Sequence, residues 1–170
     1  VPLPSRGPAA HPDPRNRPHR RLHARTLTVL DQVVRPAAYS RRALTRQLKH
    51  LGLLADDGPD RHRAEEALLI VGELVGNACR HSSGPTLMTS QWHPRTRRLT
   101  LAVSDPSPGV PRRKAPDERG EGGGYGVLLI DILAGHWNTV RHGDGGKAVV
   151  VTLDFPPPPA DPPTPPQQSR

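Results

Sequence analysis

The chain has 170 residues, 22 of them Pro, and a formal net charge of +8. That length accommodates one domain with a modest core. The lone Cys79 excludes an internal disulfide, no apolar run reaches transmembrane length, and the basic start lacks the apolar stretch of a signal peptide; the expected compartment is the cytoplasm, with no membrane partner.

Residues 1 to 21 are rich in Pro, Arg and His, and residues 156 to 170 read PPPPADPPTPPQQSR. Neither stretch has the apolar material to offset the entropy of ordering it. Both read as disordered tails, the second partly as polyproline II, around one folded domain over 22 to 155. Six Arg and two Asp in the tails supply half of the net charge. Basic tails permit nucleic-acid binding, but no recognition helix or interleaved aromatic surface accompanies them, so direct nucleic-acid binding is not expected.

Residues 26 to 34, TLTVLDQVV, predict a strand. Pro36 is suited to open a helix, Ala43, Leu44, Leu48 and Leu51 continue it at helical spacing, and Gly52 can end it. A second helix is predicted over about 60 to 82, with Ala64, Ala67, Leu68, Val71, Leu74, Val75 and Ala78 as its apolar stripe. TLMTSQWH (86 to 93) and RRLTLAVSD (97 to 105) predict a hairpin. Residues 106 to 123 show no apolar periodicity and carry Arg112, Arg113, Lys114 and Arg119; so long an irregular insert is often functional. A glycine cluster then runs into a third helix (122 to 135), followed by a short strand HWNTVR, a turn HGDGG and a strongly β strand KAVVVTLDF (147 to 155). The expected fold class is α+β: a two-layer α/β sandwich with a mixed sheet, helices on one face and a long loop.

Three places in this order carry polar or flexible residues. Glu73 and Asn77 lie one helical turn apart and point the same way. Asp105 ends a strand and is followed by Pro106, Ser107, Pro108 and Gly109. Gly122, Gly123, Gly124, Tyr125 and Gly126 open a helix, where backbone N–H groups can approach an anion. The P-loop and dinucleotide-fold patterns are absent. Taken singly, each place has a plain reading: a solvated helix face, a turn cap, a flexible loop.

Together they resemble the GHKL, or Bergerat, ATP-binding fold, and within it the small anti-sigma-factor serine kinases and their actinobacterial relatives. Residues 73 to 81, ELVGNACRH, resemble the N-box; DPSPG from Asp105 resembles the aspartate box; GYGV from Gly124 to Val127 stands at the glycine box; GGKAV from Gly145 to Val149 resembles the closing GGKTV. The resemblance covers about residues 24 to 155. It implies ATP and Mg²⁺ as ligands, with Asn77 as the metal ligand and Glu73 as general base toward a serine hydroxyl. Asp105 would read the adenine amino group, in a loop with Ser107 and Gly109. Gly122, Gly123, Gly124, Tyr125, Gly126 and Val127 would hold the phosphates, and Lys114 would reach them from a lid over 106 to 123. The implied partners are a sigma factor, an anti-sigma antagonist phosphorylated on serine, and a second copy of the chain, paired through roughly residues 26 to 50.

Several positions depart from the pattern. Ser107 replaces a glycine, Tyr125 a frequent arginine and Val127 a frequent leucine. Ala148 stands where the family carries a threonine that ties a water to the aspartate; the missing bond predicts a loss of about 0.5–1.5 kcal/mol. That departure motivates an alternative, a nucleotide-poor module that sequesters a sigma factor or another regulator. His81 is expected to cap or pack the helix end, and Trp92 and Trp137 to pack. A complete sensor histidine kinase is not expected, because the chain has no room for a dimerising hairpin with a phosphoacceptor histidine.

Overall fold

The computed structural model describes residues 24–111 and 126–157. Both tails, Lys114, Gly122, Gly123, Gly124, Tyr125 and most of the expected lid lie outside the described residues. Within them, five strands and three helices follow in the order β1 (Ala24–Val29), α1 (Pro36–His50), α2 (Arg61–His81), β2 (Leu87–His93), β3 (Arg98–Asp105), α3 (Gly126–Leu133), β4 (His136–Arg141) and β5 (Lys147–Asp154).

The strands form one sheet in the order β1-β2-β3-β5-β4. All four pairings are antiparallel, where the sequence predicts a mixed sheet. The reason is β5. The crossover from β3 through α3 sets β4 running parallel to β3, but β5 folds back between them and becomes the antiparallel neighbour of both. The α+β two-layer expectation otherwise stands: the helices cover one face of the sheet.

Alternation decides which strand residues meet the helices. Leu99, Leu101 and Val103 of β3 and Val151 and Leu153 of β5 are buried on that face. Opposite them α2 buries Ala64, Ala67, Ile70, Val71, Leu74, Val75 and Ala78. Small residues at 64, 67 and 78 let the helix lie close to the sheet, and each large aliphatic side chain fully buried there contributes about 1.5–3 kcal/mol. Leu68 is only partly buried and Ile70 takes a place in the stripe. The first strand ends at Val29, short of the predicted Val34, because residues 31 and 32 turn the chain and Val33 N–H bonds back to the Leu30 carbonyl.

Three polar ties set how the helices sit. Gln47 of α1 accepts from buried Ser90 of β2 and reaches the Ala24 carbonyl of β1. Arg63 near the start of α2 donates to the Leu133 carbonyl at the end of α3 (2.7 Å) and to the Asp154 carbonyl at the end of β5 (2.9 Å). Arg97 pairs with Asp60 just before α2 and lies over Trp92, whose ring meets Phe155 edge-on. Trp92 thus packs, as its sequence context predicts.

Candidate functional site

The face of α2 beside its buried stripe turns toward α3. Glu73 and Asn77 are brought together there, one turn apart, against Gly126. A Cβ on Gly126 would stand 2.6 Å from Glu73 Oε2, 3.2 Å from Asn77 Oδ1 and 3.3 Å from Asn77 Nδ2. A side chain there would displace the Glu73 and Asn77 head groups, so glycine is what lets α3 approach the pair as they stand. Arg80, one turn further along α2, donates from Nη2 to Asn77 Oδ1 (2.8 Å) and lies 3.7 Å from Glu73 Oε2. Arg80 therefore holds the amide oxygen that the family resemblance implies for a metal.

Across from this helix face, β3 delivers Asp105 at its end. The Asp105 side chain is buried and closes a tight turn: Ser107 N–H donates to Oδ1 (2.9 Å), and Gly109 N–H in turn donates to Ser107 Oγ (3.2 Å). Lys147 is equally buried. Its Nζ donates to Asp105 Oδ1 (2.8 Å) and to the Ser107 carbonyl (3.0 Å). A carboxylate and an ammonium can share a protein interior only when paired and hydrogen-bonded in this way.

Both halves open onto one cavity of about 360 Å³. Leu74, Ala78, Val103, Val127, Ile130 and Val149 give it apolar walls. Asn77, His81, Asp105, Ser107 and Lys147 supply its polar groups, and Gly109, Val110 and Pro111 its rim-side loop. Glu73 is not part of the lining; it stands beside Asn77 against Gly126. His81 lines the cavity, while the end of α2 is capped by Ser82, whose hydroxyl donates to the Ala78 carbonyl (2.7 Å). Trp137 packs against the core and also lines the cavity, its Nε1 donating to Asp131 (2.7 Å).

Ala148 differs from its expectation. Cross-strand register places Asp105 opposite Lys147 and Ser104 opposite Ala148. Opposed residues share a face and neighbours alternate, so Ala148 points away from the cavity. The residue beside the aspartate is Lys147. In the sequence it stands out only as part of a glycine-rich box; its place beside Asp105 comes from the β3–β5 register.

An apolar slot with a buried acceptor suits a flat heterocycle bearing an amino group. Asn77 Oδ1 is a hard oxygen of the kind Mg²⁺ takes. Among the described residues no three His, Cys, Asp or Glu gather for a metal. A cation held by Asn77 would thus draw its other oxygens from the ligand and water, as Mg²⁺ on phosphates does. The residues fit such a group.

The fold is an α+β sandwich whose cavity is lined by Asn77, Asp105 and Lys147. A family model described as the histidine kinase-like ATPase domain matches residues 26–153, and the chain belongs to that family. It is 34% identical over 98 residues to the sensor histidine kinase YdfH of Bacillus subtilis, covering 55% of this chain and 23% of that protein. It is 29% identical over 105 residues to the sensor histidine kinase component HK1 of Mycobacterium tuberculosis, covering 53% of this chain and 61% of that one. The chain thus spans less than two thirds of either relative. The solved RsbU and RsbW domains of Rv1364c from Mycobacterium tuberculosis share its fold with a TM-score of 0.55 at 18% identity, over 79% of this chain and 34% of that one. Among the described residues no helix is long and apolar enough to cross a membrane.

Proposed function

We propose that this domain binds Mg·ATP and transfers its terminal phosphoryl group to a serine of a small regulatory protein, in the manner of an anti-sigma-factor kinase. The observation that carries the reading is the meeting of Glu73 and Asn77 with Gly126, beside a cavity that ends on buried Asp105. Asp105 orients the base through its carboxylate. Asn77 offers Oδ1 to the metal once Arg80 releases it. Glu73 accepts the serine proton as the hydroxyl attacks, the task suited to a carboxylate one turn from the metal ligand. Mg²⁺ would supply the positive charge that offsets charge on the phosphates. Ser107, Gly109, Gly126 and Val127 belong to the same site, and Gly122, Gly123, Gly124, Tyr125 and Lys114 are assigned to it from the sequence alone.

Labelled ATP, incubated with the domain and candidate antagonist proteins, tests the proposal. Label on a serine of one antagonist, lost in Glu73→Ala, is the expected result. ATP binding without transfer to any candidate would sink the kinase reading. A second reading, a regulator-sequestering module without metal-dependent chemistry, loses the support of Ala148, which lies on the other face. It draws support instead from the Arg80 bond to Asn77. Pairing of two copies belongs to the first reading. Leu27 (60% exposed), Val29 (66%), Val34 (87%) and Tyr39 (42%) all lie within residues 26 to 50, and β1 is an edge strand, which favours that surface.

A further inference from the structure

Beyond its pairing with Asp105 and the Ser107 carbonyl, Lys147 has no task in the site described so far. It is a lysine only 4% exposed, at the start of β5, whose side chain forms part of the cavity wall. An ammonium group carries three protons. Two are placed: one on Asp105 Oδ1, one on the Ser107 carbonyl. Leaving the third without an acceptor in a buried position is costly. On the other side of the pair, the donors to the aspartate among the described residues, Lys147 Nζ and Ser107 N–H, both land on Oδ1, and a ligand in the cavity can take Oδ2. The polar end of the cavity therefore offers one carboxylate acceptor next to one ammonium donor. Its chemical complement is a flat ring edge that presents a donor beside an acceptor.

We propose that Lys147 is a base-reading residue: it donates its third proton to N1 of adenine while Asp105 Oδ2 accepts from the neighbouring amino group. This rests on the reading of the cavity as an ATP site and adds a second point of recognition to it. Guanine presents the opposite polarity at both positions, a carbonyl toward the carboxylate and an N–H toward the ammonium. It is rejected twice, because each mismatch leaves a buried polar group unpaired. The short turn through Ser107 and Gly109 has a matching role: it aims the Ser107 carbonyl at Nζ and so fixes the direction of the remaining proton.

Calorimetry on the unaltered chain separates this from the underlying reading, with ATP and 1-deaza-ATP as probes. The second keeps the amino group and replaces N1 by C–H. Lys147 as a reader of N1 predicts that 1-deaza-ATP binds weaker by about tenfold or more, since the lost bond is to a charged donor. Equal affinity for the two overturns the proposal and leaves ATP binding intact. Absence of binding by either overturns both. Lys147→Met then serves as the second arm, because its side chain is of similar length and has no N–H or O–H to offer N1: it is expected to bind the two nucleotides alike. Persisting discrimination in that variant would assign N1 recognition to another group and remove Lys147 from the role. Should Lys147→Met fail to fold, the two-nucleotide comparison on the unaltered chain still decides.

Discussion

At Gly126 the main chain comes so close to Glu73 and Asn77 that a methyl group would contact both. The nearest atoms are the far ends of flexible side chains, which can swing away, and alanine is no worse a helix former than glycine. Gly126→Ala should therefore melt no lower than the parent, yet bind Mg·ATP more weakly because the pair has been pushed apart. Thermal melts and calorimetry on one preparation check both halves. Glu73 and Asn77 separate by chemistry. Asn77→Ala removes the amide oxygen and should abolish the Mg²⁺ dependence of ATP affinity. Glu73→Ala keeps that oxygen and should bind Mg·ATP like the parent, with phosphoryl transfer slowed on the order of 10²-fold or more. Single-turnover transfer at the parental rate would refute the base assignment, and loss of the fold would return Glu73 to a structural role. These two residues were legible in the sequence because they sit four apart on one strongly periodic helix, where local geometry alone aligns side chains.

Arg63 shows what holds the elements in the arrangement the site needs. One guanidinium joins the start of α2 to the last carbonyl face of α3 and to the end of β5, and it is itself paired with Glu66. Two orphan carbonyls at element ends are satisfied at once. Arg63→Ala should cost about 1–3 kcal/mol, visible as a lower urea midpoint at unchanged slope. It should also loosen α3 and with it the approach of Gly126 to α2. Arg63→Lys offers one point charge in place of a planar fork and should recover only part of the loss. Nothing in the sequence marks this residue, since its partners lie 70 and 91 positions away.

The described residues form an α+β sandwich with a cavity between the helix layer and the ends of β3 and β5. A ligand that binds only the folded state raises its stability by mass action, so Mg·ATP at a hundred times its Kd should add about 2.7 kcal/mol. A melting shift of several degrees that chelation of Mg²⁺ largely removes is the expected outcome; no shift at millimolar nucleotide would count against the site. Sedimentation should detect a dimer at micromolar concentration, and Val29→Lys should dissociate it by placing charge on the exposed edge; a monomeric parent would end that expectation. The sequence by itself determined the element order, the helix that carries Glu73 and Asn77, the strand that delivers Asp105 and the family resemblance. All of these are local periodicities and boxes met in order along the chain. Only the tertiary structure decided that β5 enters between β3 and β4 and makes every pairing antiparallel. The same insertion sets the register that turns Lys147 toward Asp105 and Ala148 away from it. Alternation along a strand has period two and says that neighbours face opposite ways. Which of the two faces the site is settled by pairing between segments some forty residues apart and by the core packed beneath them.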